Sequence, residues 1–128
     1  MTVLDASAVL ALIHDEPGAD VVAAELGTGP AHLGAANLAE VIGKLVDADI
    51  GAGRVRGLLD AAGVLLEPVL VEDAELAGAM RGLDGGRALS LGDRCCLALT
   101  IRSSPPAVLT ADRAWAELNL PIHVRLMR

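Results

Sequence analysis

A chain of 128 residues suits one domain spanning residues 1–128, long enough to bury a core without disulfides. Hydrophobic residues make up 53% of it and its mean hydropathy is +0.52, high for a soluble monomer, so an apolar face hidden in an oligomer is expected. A net charge of −7 speaks against a general nucleic-acid-binding module, but not against an enzyme whose clustered acids are offset by cations.

In chain order, Thr2-Val3-Leu4 predicts a short buried strand. Residues 7–14 carry apolar Val9, Leu10, Leu12 and Ile13 and predict a helix that Pro17-Gly18 ends. A second helix over 19–26 stops at Gly27-Thr28-Gly29-Pro30, ahead of a short strand at 31–34. Residues 37–47 predict a helix with Leu38, Val41, Ile42 and Leu45 on one face. Another follows over 51–62, with Gly63 at its end, and then a strand over 64–68 that Pro68 closes. Residues 72–83 form an amphipathic helix, stopped by Asp84-Gly85-Gly86. A helix from Ser90 through Ile101 ends at Ser103-Ser104-Pro105-Pro106, before a strand at 107–109 and a short helix at 112–118. In the last strand, 121–126, Ile122, Val124 and Leu126 alternate with His123 and Arg125. Strands and helices interleave throughout, which gives an α/β class with a mainly parallel sheet.

No stretch supports a membrane span. The longest run free of Asp, Glu, Lys and Arg, residues 26–39, contains three glycines and Pro30. Asp5 interrupts the N-terminus, so no secretory signal is expected and the cytoplasm is the expected location. Cys95 and Cys96 are adjacent and lack CxxC spacing, which fits reduced thiols.

Four acids draw the chemistry together. Asp5, Glu40, Asp93 and Asp112 each lie where an apolar strand hands over to a helix or where a helix begins. In a parallel sheet, those positions share the carboxyl edge, where open α/β sheets bind ligands. Each also fits a helix cap. Asp5 and Asp112 precede helices, and Asn37-Leu38-Ala39-Glu40 and Ser90-Leu91-Gly92-Asp93 have capping-box spacing. Other acids, such as the pairs Asp15/Glu16 and Glu72/Asp73, sit at helix ends where solvation is easy. Two like charges about 4 Å apart repel by roughly 4 kcal/mol at an effective dielectric near 20. Four together point to a divalent cation between them, and magnesium and manganese favour such ligands.

Asp5-Ala6-Ser7-Ala8 resembles the opening motif of the PIN-domain family, and Asn37-Leu38-Ala39-Glu40-Val41 its second acidic motif. Residues 89–99 resemble its third and Leu109-Thr110-Ala111-Asp112-Arg113-Ala114-Trp115 its fourth, in order and in register. The length and element order are similar to VapC-type toxins of toxin–antitoxin pairs. The resemblance implies a three-layer α/β/α fold and a Mg²⁺- or Mn²⁺-dependent endoribonuclease that hydrolyses RNA phosphodiester bonds by metal-activated water. It implies Asp5 and Asp93 as metal ligands. Glu40 and Asp112 would complete the shell or orient the water, and Ser7 and Thr110 would hydrogen-bond the carboxylates from behind. It also implies a homodimer and a VapB-type antitoxin whose tail lies along an apolar groove.

Nothing in the sequence offers a nucleophilic side chain in a Ser-His-Asp arrangement, and His14, His32 and His123 read as surface or filling residues. Trp115, the only aromatic, reads as a packing residue, because single-strand binders offer several stacking aromatics. Arg54, Arg56, Arg87, Arg94 and Arg113 are candidates to meet phosphates, beside the plainer reading as solvated charges. A catalytically silent PIN-like interaction module is the alternative. A P-loop is absent, Ser7 stands where a haloacid-dehalogenase-type phosphatase needs a second Asp, and Lys44, the only lysine, does not follow a late strand as a receiver domain requires.

Overall fold

The computed structural model describes residues 1–128. Five strands, β1 (Val3–Leu4), β2 (Ala31–Gly34), β3 (Val64–Glu67), β4 (Ala107–Thr110) and β5 (His123–Leu126), form one sheet in the order β3-β2-β1-β4-β5. Every pairing is parallel, with Val3 beside His32 and Val108. The chain builds outward from β1 to β3, then crosses back to lay β4 and β5 on the other side of β1. The order reverses between β1 and β4, and ligands of open α/β sheets bind at such a reversal.

Successive strand residues face opposite ways, and the two faces carry separate cores. Leu4, Leu33 and Leu109 pack under α1 (Ala6–His14), α2 (Ala19–Gly27), α3 (Ala35–Asp47) and α4 (Ala52–Ala62). Val3 and Val108 pack under α6 (Leu91–Arg102), together with Met80 and Trp115. α5 (Val71–Ala79) lies against α6 on that side. The result is the expected three-layer α/β/α arrangement, and Trp115 is buried as a packing residue.

Several expectations need correction. The helix predicted from Asn37 begins at Ala35, with extended Gly34 as its N-cap and no side-chain cap. Asn37 therefore sits inside α3, and Glu40 lies in its second turn rather than at a strand–helix junction. The 72–83 helix ends at Ala79 and tightens into a 3₁₀ turn at Met80–Gly82. There the Arg94 guanidinium donates to the Ala77 carbonyl at 2.8 Å, satisfying a helix-end acceptor. Arg94 is thus buried in a structural bond and is not a phosphate contact. The 112–118 helix is a 3₁₀ turn, Arg113–Glu117, and the last strand starts only at His123.

Asp73, taken from sequence as a solvated helix-end acid, is buried. Its carboxylate accepts from the Leu70 N–H at 3.0 Å and from Arg102 Nε at 2.9 Å, tying the start of α5 to the end of α6. Several apolar side chains stay in solvent, among them Val69 and Leu70 and, at 72% exposed, Val71. Asp73→Ala is expected to lower unfolding free energy by about 2 kcal/mol, since it strands a helix-cap N–H and the Arg102 charge together. Urea denaturation checks this, and an unchanged midpoint would show that solvent replaces both bonds.

Candidate metal centre at the carboxyl edge

Asp5 is the most buried of the four acids, at 6% exposed. It follows β1 directly, caps α1 and lies at the β1/β4 reversal. Its Oδ1 accepts from the Ser7 hydroxyl at 2.6 Å and from the Ala8 N–H at 3.0 Å, while its Oδ2 accepts from the Thr110 hydroxyl at 2.6 Å. Each hydroxyl is itself held. Ser7 Oγ accepts from the Ala111 N–H and Thr110 Oγ from the Asp112 N–H, both at 3.0 Å. With their own lone pairs engaged by backbone donors, the two hydroxyls point their protons at Asp5. A carboxylate offers about four lone-pair directions, and three are filled. The remaining one lies on Oδ2.

Burial raises the Asp5 pKa above its ordinary 3.8, the three hydrogen bonds pull against that rise, and the charge of Asp93 adds to it. The three ion pairs of the chain, His32–Glu67, Arg102–Asp73 and Arg125–Glu25, lie elsewhere. None of Asp5, Glu40, Asp93 and Asp112 has a basic side chain as an ion-pair partner. Arg94, next to Asp93 in sequence, turns the other way into its bond with Ala77.

Asp93 and Glu40 stand on the neighbouring helices α6 and α3, and the charge of Asp93 reaches Asp5. Ser90 and Asp93 form a reciprocal capping box at the start of α6: Ser90 Oγ accepts from the Asp93 N–H, and Asp93 Oδ2 from the Ser90 N–H, each at 3.0 Å. Glu40 reaches across to Gly92, where a Cβ would stand only 2.3 Å from its Oε1. Glycine in a helix's first turn disfavours the helix, and here its missing side chain leaves room for that carboxylate. The Asn37 amide links the two helices, donating to Glu40 Oε1 at 2.8 Å and to the Gly92 carbonyl at 3.1 Å. Cys96 lies fully buried beneath them. Burial pushes its thiol well above its usual range, and the charges of Asp5, Asp93 and Glu40 push it further.

Asp112 is placed differently. It is joined to Asp5 only through Thr110, and its own carboxylate caps the 3₁₀ turn by accepting from the Ala114 N–H at 3.0 Å. Side chains as they stand do not bring any three acids, histidines or cysteines within reach of one ion. The reason is local: Asp93, Asp112 and Glu40 each spend an oxygen on a nearby N–H group. Those bonds are solvent-accessible or half-buried, and a cation of higher charge density would compete for the same oxygens. The donor set of carboxylates and hydroxyl-backed oxygen suits a hard divalent ion. His14 closes α1, His123 opens β5, and His32 sits against Glu67, so no histidine belongs to the group.

Sequence inspection missed Asn37 as a bridge and Gly92 as a clearance. The i, i+3 spacing of Asn37 and Glu40 is equally that of a capping box and of neighbours on one helix face. Gly92 had a readable signal, a glycine one residue inside a helix start.

The PIN domain family model matches residues 2–120. The chain belongs to the PIN domain family. No match is found among curated proteins. Among solved structures, this PIN domain is similar to the crystal structure of VapBC2 from Rickettsia felis bound to a DNA fragment from their promoter. The two share a TM-score of 0.71 and 11% identity over 98% of this chain and 97% of that one, a likeness of fold.

The raised Asp5 pKa has a stability consequence. The folded state binds the Asp5 proton more tightly than the unfolded state does. Its contribution is therefore fully present below the unfolded value and is lost as pH rises through the higher folded value. Metal-free wild type should lose Tm relative to Asp5→Asn as pH rises from about 4 to 7. A Tm difference that stays constant across that range would mean that the hydroxyl cradle fully compensates the burial.

Proposed function

We propose that this PIN domain is a divalent-metal-dependent endoribonuclease, the toxin of a type II toxin–antitoxin pair. The observation that carries it is the buried carboxylate of Asp5 at the strand-order reversal, without an ion-pair partner and in the field of Asp93. An ionised buried acid without a cationic partner is unfavourable by several kcal/mol. A bound Mg²⁺ or Mn²⁺ would remove that penalty.

Asp5 and Asp93 would hold the ion, and Glu40 and Asp112 would complete the shell or orient the attacking water. When bound, the ion lowers the pKa of water and neutralises charge on the phosphoryl oxygens. The chain's own contribution is positional. Ser7 and Thr110 fix the Asp5 carboxylate and leave one Oδ2 lone pair outward. Asn37 and Gly92 set where the Glu40 carboxylate lies relative to the start of α6. Lacking a nearby histidine, the site has no acid–base pair to recruit the RNA 2′-hydroxyl, which favours hydrolysis by water.

Partners follow from the rest of the surface. Exposed Val69, Leu70 and Val71, with Leu58 and Leu65 on α4 and β3, leave apolar area for a homodimer and for an antitoxin segment. The net charge of −7 favours a segment with basic anchors. The similar fold of VapBC2 supports a VapB-type antitoxin; the RNA substrate and a cytoplasmic location belong to the proposal. The alternative, a catalytically silent PIN-like interaction module, draws support from the local hydrogen bonds that keep Asp93, Glu40 and Asp112 from converging.

Purified protein should cut RNA with Mg²⁺ or Mn²⁺, and Asp5→Ala or Asp93→Ala should abolish cutting while leaving the fold intact by circular dichroism. Full cutting by either variant would contradict the metal assignment. Thr110→Val should weaken Mn²⁺ binding about 10–100-fold by removing the hydroxyl behind Oδ2. Calorimetric titration measures it. No Mn²⁺ heat in the wild type would favour the silent module.

A further inference from the structure

Beside the acids, on the β4 side, lies a cavity of about 480 Å³ between the loop that leads into α6 and the 3₁₀ turn after β4. Its walls are aliphatic, formed by Ala88, Leu89, Ala114 and Leu118, and Asp84 and Glu117 line it as carboxylates. Asp112 lines it too, which sets the cavity beside the fourth of the candidate acids. A second cavity, of about 540 Å³, shares Asp84, Gly85 and Ala88 with the first and is lined by Arg81 and Arg87. Both arginines are exposed, and neither is in an ion pair. In a chain of net charge −7, these two arginines give the wall a local positive charge.

Between Arg81 and Arg87 the turn is close-packed: a Cβ on Gly86 would stand 1.9 Å from the Met80 carbonyl oxygen, so only glycine fits there.

Resting on the ribonuclease reading above, we infer that the apolar cavity seats one unpaired base of the RNA next to the scissile phosphate, and that this base is guanine. The adjoining arginines meet the neighbouring phosphate. Trp115 is buried, and the exposed imidazoles of His14 and His123 lie outside the cavity lining, so a base here gains contact by insertion between aliphatic walls. Carboxylates read N–H donors. Guanine presents two adjacent donors, N1–H and the 2-amino group, which match the two oxygens of one carboxylate. The other bases present fewer. Asp84 lines both cavities, and Arg81 and Arg87 offset its charge in the second alone, so a phosphate suits the second cavity and a neutral base the first.

The test uses short single-stranded RNAs, identical except for guanosine, inosine or uridine at one position. Binding is read by fluorescence anisotropy in Mg²⁺ buffer, using the full chain with Asp5→Asn to prevent turnover. Guanosine RNA should bind about tenfold tighter than uridine RNA, with inosine between them. Asp84→Asn with Glu117→Gln should erase the preference. Ala88→Phe, which fills the slot, should weaken guanosine RNA about tenfold, and Arg81→Ala with Arg87→Ala should weaken all the RNAs alike. Should Ala88→Phe fail to fold, the near-isosteric amide pair still decides. Equal affinity for guanosine and uridine RNA, or an unaltered preference in the amide pair, would overturn the assignment. Self-association lost in Ala88→Phe with RNA affinity unchanged would also overturn it, giving the cavity to a protein contact. Wild-type cutting with no base preference would sink the guanine slot and leave the nuclease standing. Guanine-selective binding without any cutting would do the reverse.

Discussion

One carboxylate joins three parts of this molecule. Asp5 ends the central strand β1, caps α1 through the Ala8 N–H, and accepts the Thr110 hydroxyl from β4. The strand order reverses between those two strands, so the bond from Thr110 spans the point where ligands of open parallel α/β sheets bind. Backbone N–H groups of residues 111 and 112 hold Ser7 and Thr110 in turn. The network fixes where the charge sits and also keeps it from meeting a basic side chain. Desolvation then makes that charge unfavourable when alone, and the proposed metal seat rests on that frustration.

The other acids are arranged around it by ordinary helix physics. Asp93 occupies the third position of α6 because Ser90 caps that helix, and a capping box puts an acid at its N-terminus. Glu40 reaches the same region because α3 starts two residues early and Gly92 leaves space. Capping and metal binding thus draw on the same carboxylates, and an ion would compete for the oxygens that the caps hold. Each cap orients its carboxylate.

Much of this was legible in the sequence. The interleaving of elements gave the parallel sheet, and the short apolar runs before Asp5 and Asp112 located both at the carboxyl edge. The Ser90–Asp93 box read correctly because capping is a contact between residues three apart. What sequence could not convey were contacts across the fold. Asp73 appeared solvated because its partner Arg102 is far along the chain, and Arg94 appeared free because its acceptor is a backbone carbonyl in α5. Asn37 has the right spacing for a cap, and only tertiary packing moves the helix start ahead of it. The edges of short elements erred for the same reason: a 3₁₀ turn and a helix of five residues share one pattern.

The most direct measurement is a crystal structure of the full chain soaked with Mn²⁺, read by anomalous scattering at the manganese edge. A peak bonded to Asp5 Oδ2, with the Asp93 side chain turned toward it, is the predicted result. Manganese absent from Asp5, with that carboxylate still enclosed by Ser7, Ala8 and Thr110 alone, would contradict the assignment of this acid as the metal seat.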